Sequence, residues 1–295
     1  MPTLPTPTSS NVDLTPALRE AIAGTILDCL VIAEAAFPDL ASGQGAQADK
    51  AAIRENSMEG MELAGRLTLH RIALGVGKIT WSSGRDYLRA AAHDLTRHDP
   101  DAAWSTTSLV RSALEAEAGF GYLFKAESNV QKRLGRTASM LLTDARYVSQ
   151  QARALGEPTI SKIDSSAHGL DRICSHAGVR VLEDGERSKQ QIEVGGARVS
   201  HELVIANVIS GFWPKEAVHP YTLLSGAAHS RPWMLASGVS RGPTAINVLI
   251  VSGLVLSTWL DLAGTYAGVD LTAEMDQVSG YIAGTATEAL NGVHS

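Results

Sequence analysis

The sequence predicts an all-α fold, a single multi-helix bundle interrupted by a loop or small hairpin insertion. Three observations carry that expectation. Apolar residues recur at spacings of three and four along most of the chain, alternation at a spacing of two is almost absent, and no composition shift marks a linker. With 44% hydrophobic and 19% charged residues the 295-residue chain can fill a sizeable core, and at 5% aromatics that core must be packed mainly by aliphatic side chains and Ala.

Residues 1–13, "MPTLPTPTSSNVD", are rich in Pro and Thr and lack a basic stretch followed by an apolar one, so they read as a flexible arm and not a secretory signal. The helical domain is then expected over 14–295. Thr15 and Pro16 form a cap and first-turn pair, after which Leu18, Ile22, Ile26, Cys29, Leu30 and Ala33 recur at helical spacing up to Phe37. "DLASGQGAQADK" reads as a loop. A second helix carries Ile53, Met58, Met61, Leu67, Ile72 and Leu74 and is expected to end around Gly75 and Gly77, with a third over about 83–97. Asp99 and Pro100 turn the chain sharply into a fourth, about 101–126, which must lie antiparallel to the third.

A fifth helix, about 128–155, is basic on one side and closed by Gly156 and Pro158. Residues 157–196 change character. "LEDGERSKQQIEVGGAR" offers turn dipeptides and a short Val/Ile segment, so an irregular insertion with a small hairpin is expected there. Helical stretches at about 198–212, 219–237, from 243 onward and 271–291 complete the bundle. "PTAINVLIVSGLVLSTWL" is uncharged and near the minimum spanning length of about 18–20 residues, but Asn247, Ser252, Ser257 and Thr258 recur through it. No second such segment exists, which favours a buried core helix and no membrane.

Two stretches concentrate reactive side chains. In the fourth helix Arg111 and Glu115 stand four residues apart on one face, as a surface ion pair or as a buried pair lining a pocket. In "YTLLSGAAHSRPW" a helix from Pro220 would align Tyr221, Ser225 and His229 in one polar stripe, with Gly226 admitting a close approach. Phenol, hydroxyl and imidazole are groups that acid–base chemistry uses near neutral pH, though the same stripe also suits a seam between helices. Pro232 ends or kinks that helix and redirects Arg231 and Trp233, a pair suited to an anionic or planar ligand or, for the indole, to core filling. On the fifth helix Lys132, Arg133, Arg136 and Arg146 offer a basic face for phosphate or simply for solvent.

Other patterns are weaker. "GVSRG" places Ser240 in a G-x-S-x-G frame followed by Asp261, Asp270 and His294, but no strand precedes it. "AHDLTRHD" gathers His93, Asp94, His98 and Asp99 without a second cluster at metal spacing, so no metal and no cofactor are expected. "GVGKIT" lacks the first Gly and the hydroxyl of a phosphate loop. A net charge of −6 gives no global attraction to nucleic acid, which would need a local basic patch. Cys29 and Cys174 lie outside any C-x-x-C spacing and read as reduced thiols, fitting a cytoplasmic protein.

The succession "LVRSALEAEAGFGYLF", "VQKRLGRTASMLL" and "YTLLSGAAHSRPW" resembles a broad group of helical proteins of high-GC bacteria, similar in turn to HEPN-like bundles of the abortive-infection and toxin type. It covers about residues 83–240, and Ser225 to Trp233 is its most specific part. The resemblance implies an all-α bundle, often dimeric, sometimes cleaving RNA through an Arg followed by four to six residues and a His. Here Arg66/His70, Arg89/His93 and Arg172/His176 each have three intervening residues, a departure from that spacing.

The expected site therefore joins Arg111 and Glu115 to Tyr221, Ser225 and His229, with Arg133, Arg136, Arg231 and Trp233 at its edge. His229 would carry the proton, Glu115 would orient it, and the arginines would hold a small anionic ligand or RNA. Two other classes fit the same sequence. One is a non-catalytic ligand-binding or homodimeric assembly protein. The other is an enzyme for an apolar, isoprenoid-like molecule, against which "TDAR" and "LDLAG" each carry a single aspartate where magnesium sites need clusters.

Overall fold

The computed structural model describes residues 15–97, 102–125, 128–155, 159–183, 190–200, 208–209 and 241–293. Among them the chain is an all-α multi-helix bundle with one small sheet. Helix α1 (Pro16–Ala36) begins as its sequence dictates: Thr15 Oγ1 accepts from the Leu18 N–H at 3.3 Å, and Pro16 occupies the first turn. Phe37, extended before Pro38, ends it.

Helix α2 (Gln44–Glu55) starts inside the stretch expected to be a loop, and α3 (Met61–Leu95) runs unbroken for 35 residues through the glycines expected to stop it. The reason is a neighbour's bulk. A Cβ at Gly77 would lie 2.5 Å from the Phe124 ring, and one at Gly84 would lie 1.9 Å from the Trp259 indole. Glycine weakens a helix by roughly 1 kcal/mol relative to Ala, but here it lets large aromatics seat against the helix backbone. The second helical break falls instead at 56–60, where Gly60 takes φ 89°.

Helix α4 (Ala102–Phe124) packs antiparallel along α3 and is buried on nearly every side, so it is the centre of the bundle. Helix α5 (Val130–Leu155) follows. The expected irregular insertion contains a further helix, α6 (Thr159–His176), and then a three-stranded antiparallel sheet of β1 (Arg180–Glu183), β2 (Gln190–Val194) and β3 (Ala197–Ser200) in that order. Val181 faces Ile192 across one ladder, and Ile192 faces Val199 across the other. Gly195 and Gly196, with φ 55° and 81°, make the two-residue turn between β2 and β3. Residues 198–200, expected to open a helix, instead belong to strand β3. The helix expected at 219–237 lies outside the described residues.

Helix α7 (Arg241–Ala267) and helix α8 (Thr272–Val293) close the bundle. By length and composition Ala245–Ala267 could cross a membrane, and most of its apolar stretch is buried against α1, α3, α4 and α8. The apolar interior has two parts. The larger joins α1, α3, α4, α7 and α8 around Ile22, Leu30, Trp81, Leu114, Phe120 and Trp259. The smaller joins Ile53 and Leu69 to Leu134 of α5, Cys174 of α6 and Ile192 and Val194 of β2. An aromatic series threads the larger part. Trp259 meets Trp81 edge-on at 5.2 Å, Trp81 stacks on Phe37 at 4.3 Å, and Phe120 and Phe124 lead on to Tyr266.

Candidate functional site

The central helix α4 is complemented electrostatically at both ends. At its start Asp94, in the last turn of α3, accepts hydrogen bonds from Ser105 Oγ and from Thr106 Oγ1, the latter at 2.8 Å. A carboxylate there opposes the dipole of α3 but favours that of α4, whose first N–H groups lack intrahelical partners. At the other end Arg133 Nη1 donates to the Leu123 carbonyl at 2.9 Å and Arg136 Nη1 to the Tyr122 carbonyl at 2.7 Å. Arg133 also reaches the Ser128 carbonyl, and Arg136 reaches the Ser128 hydroxyl and lies over the Tyr122 ring.

Where α3 ends and α4 begins lies an open cleft of about 580 Å³, lined by His93, Asp94, Arg97, Ser105, Ser108 and Leu109. His93 is exposed, and the Arg97 side chain is 75% exposed, with Nη1 3.7 Å from Asp94 Oδ1. Asp94 itself is buried. The cleft therefore offers a guanidinium, an imidazole and hydroxyls around a carboxylate that its neighbours already occupy. Three residues past Ser108 stands Arg111, whose Nε and Nη2 both lie 2.8 Å from Glu115 Oε1. That pair is half-buried, its side chains 17% and 36% exposed.

The remaining expected site residues distribute as follows. Tyr221, Ser225, His229, Arg231 and Trp233 lie outside the described residues, as do His98, Asp99, Ser240 and His294. Arg133 is buried, and its donors are taken by the end of α4 and by Asp49. Asp270 accepts from both the backbone and the hydroxyl of Thr272 at the start of α8. Of the Arg/His pairs, Arg66 ties the turn after α2 to the end of α6 through the Asn56 and Ala177 carbonyls, while His70 faces elsewhere. Among the described residues no group of three His, Cys, Asp or Glu could hold a metal ion.

Two buried polar arrangements lie outside the site expected from the sequence. In the first, Asp49 Oδ2 accepts from Arg133 Nε and from Tyr266 OH, both at 2.9 Å, with His70 Nε2 at 3.5 Å. The Arg133 guanidinium lies 4.8 Å from the Tyr266 ring centre. Burial alone would raise the Asp49 carboxyl, but hydrogen bonds from His70, Arg133 and Tyr266 and the Arg133 charge together hold it below its ordinary value. Burial, then the Asp49 charge, push the Tyr266 phenol far above its own. All four residues are at least 90% buried, so the quartet joins α2, α3, α5 and α7 and has no opening to a ligand.

The second is Glu117 on α4. It has no exposed surface, and neither carboxyl oxygen has a hydrogen-bond partner. Its signal was available: Val110, Leu114, Glu117 and Phe124 fall on the buried face, where an acid interrupts an apolar series. Compared with protein-family models, with curated proteins and with solved structures, the chain matches none.

Proposed function

We propose that the chain is a ligand-binding helical bundle that takes a small phosphate-bearing anion in the cleft between α3 and α4. The reading rests on the balance of groups there. Arg97 and His93 are exposed, the positive end of a 23-residue helix opens beside them, and Asp94, the one acid among the described residues that line the cleft, already accepts two hydroxyl hydrogen bonds. A volume of about 580 Å³ falls within the range of roughly 300–1,000 Å³ typical of small-molecule sites. With a net charge of −6 and one arginine among the described residues that line the cleft, a compact anion is favoured over a strand of RNA, whose binding draws on several phosphate contacts at once.

Calorimetric titration of the full chain with inorganic phosphate, a nucleoside monophosphate and a short single-stranded RNA tests this. The expected result is saturable binding of the monophosphate that Arg97→Glu weakens by about tenfold or more, roughly 1.4 kcal/mol, and that His93→Ala weakens less. Both residues are exposed, so helicity should not change. Monophosphate affinity left intact by Arg97→Glu would sink the proposal, and so would binding of RNA alone with a steep salt dependence.

A further inference from the structure

Glu117 has a neighbour in the same condition. The indole Nε1 of Trp259 on α7 is likewise buried without a hydrogen-bond partner. The register between their helices follows from contacts at other levels. Asp94 meets Thr106, Thr80 lies beside Gly119, and Gly77 lies under Phe124, so α3 and α4 are antiparallel. Trp259 sits on Gly84 while Tyr266 reaches His70, so α7 is antiparallel to α3 and hence parallel to α4. Phe124 and Tyr266 touch, with ring centres 4.8 Å apart. Seven residues back, two helical turns along each parallel helix, stand Glu117 and Trp259. Both orphaned groups occupy one level of the α4–α7 seam, with wholly buried Ser252 two turns further along α7.

We propose that Glu117 is a proton-operated latch of the α4–α7 seam: the neutral acid lets the core close, and loss of its proton opens it. Among the described residues, the charged groups of the helices packed around the carboxyl are engaged elsewhere. On α4, Arg111 and Glu115 are bound to each other. On α3, Arg85 and Arg89 are engaged by Glu34 and Asp86, and His70 by Asp49 and Tyr266. On α5, Arg133 and Arg136 hold the carbonyls at the end of α4. On α7 no titratable residue occurs between Arg241 and Asp261, and Asp261 is exposed. Burial pushes the Glu117 carboxyl up to about 8. A carboxylate left in apolar surroundings has to reach water, and helices α4 and α7 stand in its way. The latch is independent of the anion cleft at the far end of α4.

The test follows the full chain from about pH 6 to about pH 9.5, a window that brackets ionisation of a buried carboxyl, by near-UV circular dichroism and by hydrogen exchange corrected for its intrinsic pH dependence. Expected is a reversible one-proton transition near pH 8 in the tryptophan signal, with faster exchange in α4 and α7 and most helicity kept. Glu117→Gln should abolish it, and Glu117→Met, which fills the site with an apolar side chain of similar length, should abolish it and raise stability above the transition. A flat wild-type signal across the window overturns the latch. So does a transition that persists in either variant.

Discussion

Removing the Asp49 carboxylate should destabilise the fold more than any other single charge deletion in the bundle. Asp49→Ala leaves the Arg133 guanidinium buried with its Nε unpaired, and takes away the acceptor that Tyr266 OH uses at 2.9 Å. Breaking a buried pair from one side costs about 3–5 kcal/mol, because the surviving charge stays desolvated. For a chain of this length about 1 kcal/mol corresponds to roughly 2 °C, so the midpoint of thermal unfolding should fall by roughly 6–10 °C. Urea unfolding followed by far-UV circular dichroism measures the free energy directly. Replacing both partners, as Asp49→Ala with Arg133→Met, should cost less than the sum of the two single changes. The pH dependence has a definite sign. The folded carboxyl lies below its unfolded value of about 3.9, so its contribution is complete above that value and is lost as pH falls through the lower, folded one. Asp49→Ala should lack this acid-side loss. A penalty under about 1 kcal/mol, the size of an exposed ion pair, would refute the reasoning.

Two further outcomes follow from packing. Gly84→Ala places a methyl group 1.9 Å from an indole fixed between α3 and α7, and should destabilise by about 1–3 kcal/mol or more; urea midpoints of this variant and of Gly75→Ala, which meets nothing within 4 Å, provide the contrast. Burial, aided by Asp28 and Asp171 respectively, pushes the Cys29 and Cys174 thiols up to about 12 and about 11. Neither should react with a maleimide in the native protein near pH 7.5, a pH ordinary for such labelling and about one unit below a free thiol, and both should label at once in urea. Rapid native labelling of either would contradict its burial.

Much of the bundle was legible because its signals are local. Thr15, Pro16 and the apolar series to Ala33 specify α1, and Asp99 and Pro100 in the sequence predict the antiparallel pairing of α4 with α3. What escaped depended on a partner distant in sequence. Gly77 and Gly84 look like helix breakers until Phe124 and Trp259 are placed against them. Helix α6 was obscured by its Ser, His and Gly content, although Ile160, Ile163, Ala167, Leu170 and Cys174 keep a spacing of three and four. At the level of the site, Arg111 and Glu115 could be paired from their spacing alone. Asp49, His70, Arg133 and Tyr266 could not, since Asp49 is 84 residues from Arg133 and 217 from Tyr266. Glu117 was hidden by its neighbour: two residues from Glu115 along the chain, it points to the opposite side of the helix.

The two apolar regions share one continuous strut. At 1.5 Å per residue α3 is about 52 Å long, and it gives Leu69 to one region and Trp81 and Leu88 to the other. The Asp49 quartet sits at the border between them, drawing Arg133 from the side of α5 and Tyr266 from the side of α7. A bilobed interior of this kind would ordinarily melt lobe by lobe. Here whichever lobe unfolds first must strip half of a single helix and unfasten the same polar rivet, which couples the unfolding of the two halves.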